Sequence, residues 1–163
     1  MTTPRAVALD LDRALVDTRP LWQAWLDSAA AVLGVEAASL PTSRADAAEE
    51  LDRLGPGNWR ALLERFCEER VAVHVRRDAA TGEALRALAA AGCEIGVFTD
   101  APEPLARLAL AQIGADRRVA LLVTGGEALE RLRDSLGPGT VAVTSPAGLR
   151  DVAEAALSGR RDS

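Results

Sequence analysis

The stretch Val7-Ala8-Leu9-Asp10-Leu11-Asp12 constrains this chain more than any other. Its apolar run reads as a buried parallel strand. The run ends in two aspartates at positions i and i+2. On a strand that spacing puts both carboxylates on one face. At the carboxyl end of a parallel strand, that face looks into the crevice where open α/β sheets bind ligands. Two carboxylates there have two chemical uses. They can ligate a hard cation such as Mg2+, which prefers oxygen. Alternatively, one attacks phosphorus as a nucleophile while the other moves a proton. A bland use also exists, in which they cap the strand and solvate a loop.

The remaining pattern fixes the setting of that strand, expected over 5–11. Residues 19–34 place Leu21, Trp22, Trp25, Leu26, Ala29 and Leu33 on one helical face. Further helices are expected over 43–54 and 59–74, the second with Trp59, Leu62, Leu63, Phe66 and Cys67 as its apolar face. All three tryptophans fall in this region, which suggests a small helical unit with its own packing, and their helical spacing reads as core. From residue 78 onward strands and helices alternate. Helices are expected over 81–92, 102–113, 127–136 and 146–157, and strands over 93–100, 119–123 and 140–143. That alternation means a parallel sheet with helices on both faces.

The fold class is therefore α/β: a Rossmann-like, three-layer parallel sheet, ordered 3-2-1-4, with a small helical cap inserted after the first strand. The core is expected over 1–16 and 77–159, the cap over 17–76, and a disordered tail over 160–163. The fourth strand would be an edge, and edges invite pairing. A homodimer through that edge or through the tryptophan-bearing insertion is thus an expectation.

Composition excludes several classes of function. A net charge of -5 with no basic stripe argues against nucleic acid as a partner. No run of 18 apolar residues suggests a membrane span. The N-terminus lacks a secretory pattern, and Cys67 and Cys93 lack CxxC metal spacing. Both facts suit a reduced, cytoplasmic setting. His74, the one histidine, reads as structural or surface-exposed. Every basic residue is arginine, so no step can use a lysine ammonium.

With the first-strand aspartates, the helical insertion, the Leu-Arg-Ala-Leu-Ala-Ala-Ala-Gly helix at 85–92 and the strand end Val97-Phe98-Thr99-Asp100, the chain resembles the haloacid dehalogenase (HAD) superfamily. The likeness is to its phosphoglycolate-phosphatase-like branch with a helical cap. The resemblance implies that Asp10 is a nucleophile forming a phosphoaspartyl intermediate and Asp12 the general acid/base. It also implies that Thr99 binds the phosphoryl group and that Mg2+ is held at Asp10 and Asp12. Asp100 and Arg13 are further candidates for contact with substrate or phosphate.

Departures from the family pattern follow the first strand. Arg13-Ala14 stands where the family has Gly-Thr, and Arg13 can crowd phosphate or contact it. The third-motif cation has no lysine; Arg131 and Arg133 are the candidates to supply it. The fourth motif is matched best by Val143-Thr144-Ser145-Pro146-Ala147-Gly148-Leu149, where both expected acids are missing. Without a metal, a phosphorylated substrate meets uncompensated aspartates. Like charges about 4 Å apart repel by roughly 4 kcal/mol at an effective dielectric near 20, about a thousandfold in binding.

Three functions remain open on this reading. The first is a protein with an incomplete, degenerate phosphatase site, weakly active or inactive, acting as a binding or regulatory module for a small phosphorylated metabolite or a protein partner. The second is a Mg2+-dependent phosphomonoesterase. The third is another reaction on the same fold, or an unrelated α/β binding domain.

Overall fold

In the computed structural model, residues 3–161 are described. The element order is β1 (Ala6–Asp10), a π-helical turn (Leu11–Leu15), α1 (Arg19–Leu33), a 3-10 turn (Ala37–Ser39), α2 (Arg44–Leu54), α3 (Trp59–His74), α4 (Ala79–Ala90), β2 (Glu94–Thr99), α5 (Glu103–Gln112), β3 (Leu121–Thr124), α6 (Ala128–Leu136), β4 (Val141–Val143) and α7 (Pro146–Arg161). The four strands are parallel and ordered β3-β2-β1-β4, as the alternation predicted. β1 lies inside the sheet, hydrogen-bonded to β2 on one side and β4 on the other. Val7, Ala8 and Leu9 are wholly buried, which is why this run is continuously apolar rather than alternating.

Two apolar clusters hold the molecule together. One joins Val7, Leu9, Ile95, Val97 and Val143 of the sheet to Leu85 and Leu88 of α4, Leu110 of α5 and Leu149 of α7. The alternate residue Gly96 points to the opposite face, where α6 lies against it. A β-carbon built there would sit 2.7 Å from Leu132 Cδ1 and 2.8 Å from Leu136 Cδ1. The sheet is thus sandwiched between helices, as expected for the fold class.

The second cluster contains Trp22 and Trp25 of α1, Leu51 of α2, and Trp59, Leu63 and Cys67 of α3. The Trp22–Trp25 and Trp25–Trp59 ring centroids are 5.1 and 5.9 Å apart, within the range of favourable tilted pairs. The three tryptophans are core, as their spacing predicted. This cluster does not close on itself: Ala101, Leu105 and Ala109, along α5 and just before it, complete it.

The structure moves some expected boundaries. α4 begins two residues early, because the Asp78 side chain accepts the Thr81 N–H and caps the helix. The tail expected over 160–163 is corrected for Arg160 and Arg161, which continue α7. Leu149, Ala153 and Ala156 anchor that helix on the core, and helical propagation then adds one bond per residue. Asp162 and Ser163 lie outside the described residues. Among the described residues no helix is long and apolar enough to cross a membrane.

The Gly96 approach makes a sharp prediction. Gly96→Ala overpacks the α6 face and is expected to lower stability by about 1–3 kcal/mol. Gly126→Ala, with nothing within 4 Å of the new carbon, is expected to stay within about 0.5 kcal/mol of the parent. Urea denaturation of the two variants checks this.

Candidate active site

The site grows from the end of β1. The Asp10 Oδ1 atom accepts the backbone N–H of Asp12 at 3.1 Å and of Arg13 at 3.2 Å. An aspartate that bonds its own following backbone draws the chain out of strand geometry. The chain therefore turns at Leu11, and the Val16 N–H closes a wide i→i−5 turn on the Leu11 carbonyl at 2.8 Å. This corrects the expectation that Asp10 and Asp12 share a strand face. Asp10 ends the strand, whereas Asp12 sits within the turn. Both still line one cleft of about 680 Å³, together with Arg13, Arg44, Thr99, Asp100 and the segment 125–130.

The two carboxylates have opposite surroundings. Asp10 has a half-buried side chain, and among the described residues its Oδ2 accepts no hydrogen bond. Burial pushes its pKa above the ordinary carboxylate value; the Arg13 N–H opposes that rise, and the negative charge of Asp12 adds to it. Asp12 is fully engaged. Its Oδ1 accepts the Thr18 N–H at 2.9 Å and the Thr18 hydroxyl at 2.6 Å. Its Oδ2 accepts the Thr99 hydroxyl at 3.0 Å and the Arg44 guanidinium. Four donors meet a group with about four lone-pair sites.

Arg44 is the residue that the sequence reading missed. It is the first residue of α2, in the helical region between β1 and α4, and only 4% exposed. Its NH1 donates to the Thr18 hydroxyl at 2.7 Å, and its NH2 pairs with Asp12 and, at 2.7 Å, with Asp100 Oδ1. Its Nε and its backbone N–H donate to the two oxygens of Asp100, each at 3.0 Å. A signal for it existed in the sequence. Pro41-Thr42-Ser43 announces a helix start, and a cation in the first helical turn opposes the helix dipole. An arginine there needs compensation from elsewhere, and two aspartates supply it.

The other expected residues divide around this network. Thr99 and Asp100 are brought to the cleft, but both are bonded to Arg44, and the Thr99 hydroxyl also accepts the Ala101 N–H at 3.1 Å. Arg13 lies on the cleft wall with an exposed side chain. Arg131 is turned away: its guanidinium donates to the carbonyls of Thr124 and Gly126. Arg133 pairs with Glu130 at 3.5 Å. Neither of them supplies a cation beside Asp10. The loop where such a cation was sought holds Glu127 at φ 54°, a left-handed conformation without glycine, between Gly126 and α6.

These residues do not fit a divalent metal. Mg2+ asks for near-octahedral oxygen ligands and dehydrates reluctantly. Asp10 offers one free oxygen, while Asp12 and Asp100 face a guanidinium. The residues after β4, Thr144 to Gly148, contain no acid. Among the described residues no three His, Cys, Asp or Glu side chains converge on one point.

Comparison with known proteins places the geometry in context. No family model matches the chain. It is 31% identical over 142 residues to phosphoglycolate phosphatases from two strains of Xanthomonas campestris pv. campestris. That match covers 80% of this chain and 64% of the relatives, so the chain spans less than two thirds of their length. Among solved structures, a HAD phosphatase from Thermococcus onnurineus matches with a TM-score of 0.52 at 20% identity, over 91% of this chain and 82% of that one.

Two outcomes follow from the site electrostatics. Arg44→Gln removes one partner of a buried pair and leaves Asp12 uncompensated. It is expected to cost about 3–5 kcal/mol in chemical denaturation. Asp10→Asn is expected to do the reverse at neutral pH. A carboxylate whose pKa is raised by folding favours the folded state only when protonated, so ionised Asp10 is a burden that Asn removes. The gain should vanish as pH falls through the raised Asp10 value and below the ordinary 3.8. Denaturation of parent and variant at neutral and acid pH measures the difference.

Proposed function

We propose that the chain, which shares the fold of a HAD phosphatase and 31% identity with phosphoglycolate phosphatases, is a haloacid dehalogenase superfamily protein that binds a small phosphorylated metabolite in the Asp10 cleft and hydrolyses it slowly or not at all. The observation that carries this reading is the saturated Asp12 carboxylate. Phosphomonoester hydrolysis through an aspartyl intermediate needs two things of the chain's own residues. One carboxylate must present a free oxygen to phosphorus, and a second group must deliver a proton to the leaving oxygen and later take one from water. Asp10 meets the first need, because Oδ2 faces the cleft unpaired. Asp12 does not meet the second: both oxygens are held by Thr18, Thr99 and Arg44.

Binding is better supported than turnover. Arg13 has an exposed guanidinium on the cleft wall that attracts Asp10 only at longer range, and it is the group best placed to meet a phosphate. The bland alternative, in which the aspartates only cap β1 and its turn, accounts for Asp10 Oδ1 and for the Thr18 contacts. It leaves unexplained why the half-buried Asp10 leaves Oδ2 without a hydrogen bond beside a cleft of about 680 Å³.

An active phosphatase is the second reading. It is favoured by the position of Arg44 on α2 rather than on the strands: withdrawal of the α2 N-terminus would release Asp12. The names of the Xanthomonas relatives make phosphoglycolate the natural probe.

Two measurements on the full chain decide between these readings. Phosphoglycolate and an aryl phosphate are expected to turn over in Mg2+ no faster with the parent than with Asp10→Asn. Calorimetric titration is expected to show phosphoglycolate binding to the parent and about tenfold weaker binding to Arg13→Ala, the loss of one charged hydrogen bond. Mg2+-dependent turnover that Asp10→Asn abolishes would establish the phosphatase instead.

A further inference from the structure

The disagreement between the cleft and a divalent metal has a positive side. One atom, Arg44 NH2, lies 2.7 Å from Asp100 Oδ1 and 3.5 Å from Thr99 Oγ1, and it pairs with Asp12 Oδ2. Two carboxylate oxygens and a hydroxyl oxygen converge on it. That is an oxygen set for a cation, and a nitrogen of the chain fills it.

We infer that Arg44 is the resident counter-ion of this cleft, that it keeps divalent cations out, and that removing it opens a cation site formed by Asp12 and Asp100. The inference deepens the anion-binding reading, and in its ligand half it rests on that reading: an anion would be recognised without a metal bridge.

Arg44 holds this place through its tethering. Asp100 accepts both the backbone N–H and the Nε–H of Arg44, each at 3.0 Å, so the guanidinium is anchored at its own backbone and again at its head. Ser43 fixes the helix start by accepting the Asp46 N–H. The guanidinium is therefore an intramolecular ligand, and its effective concentration at the carboxylates exceeds that of a free ion in solution. The planar fork lets one residue meet Thr18, Asp12 and Asp100 together, which a compact ammonium could not do. Mg2+ would need to displace all of these contacts and surrender part of its hydration shell.

The test uses Mn2+ as the probe, read by electron paramagnetic resonance on the full chain with no anion present. The parent is expected to leave Mn2+ free. Arg44→Gln is expected to bind one Mn2+ at least about tenfold more tightly than the parent, because two carboxylates lose their cation. That gain should disappear in Arg44→Gln combined with Asp12→Asn. Arg44→Lys, which keeps a charge, should remain close to the parent. Saturable binding of one Mn2+ by the parent that Asp10→Asn abolishes overturns the inference, whether or not Arg44→Gln folds. A folded Arg44→Gln protein with no gain in affinity also overturns it. Failure of phosphoglycolate to bind would remove the anion reading while leaving the Mn2+ result intact, so the two claims fail separately.

Discussion

One guanidinium ties this molecule together. Arg44 connects the turn after β1, through Asp12 and Thr18, to the residues that end and follow β2, Thr99 and Asp100. It does so from the N-terminus of a helix that belongs to neither. The energetic asymmetry of buried ion pairs explains why such a contact persists. Desolvating Arg44 and Asp12 is costly, and their mutual attraction repays that cost only when the geometry is good and further hydrogen bonds satisfy the remaining polar atoms. Here those bonds are present, since each oxygen of Asp12 and of Asp100 meets a donor. The arrangement is therefore valuable as a constraint on geometry more than as a source of stability.

The fold was legible in the sequence because its signals are local and redundant. A continuous apolar run gave β1, and regular alternation after residue 78 gave the other three strands and their order. The tryptophan spacing gave the second core. The site was only partly legible. Asp10, Asp12, Thr99 and Asp100 sit at strand ends or in the turns that follow them, and topology brings all strand ends of a parallel sheet to one edge. Arg44 could not be placed this way. It lies on α2, and its path to Asp12 depends on how that helix docks, which periodicity does not encode. The turn at Leu11 was missed for a related reason. A two-residue spacing was read with strand periodicity, but Asp10 itself ends the strand by bonding the next backbone amides.

The absence of lysine, first a matter of composition, acquires a structural meaning here. An ammonium is a point charge with three donors, and a guanidinium is a plane with five. The network at Arg44 uses that plane in several directions at once, toward Thr18, Asp12 and Asp100. Arg131 shows the same property differently, spanning the carbonyls of Thr124 and Gly126 to hold the loop before α6. That loop also carries the one non-glycine residue with a left-handed backbone among the described residues, Glu127. The arginine clasp and the unusual backbone occur together in one loop, whose residues Gly125, Gly126 and Glu127 line the cleft.

β1 is synthesised well before either of its partners. Ala6 pairs with Glu94, and Val7 with Val141. As the chain emerges, its most apolar strand must wait while roughly ninety residues are added before one neighbour exists, and longer for the other. Closing loops of that size is slow because the entropy is lost before any contact rewards it. The helical segment between β1 and β2 fills that interval, but its own core stays open until α5 supplies Leu105 and Ala109. Asp12, Arg44 and Asp100 come from three stretches far apart in the chain, so their meeting requires all three stretches to be docked. The completed ion-pair network therefore reports that the turn after β1, the start of α2 and the end of β2 have all reached their native places.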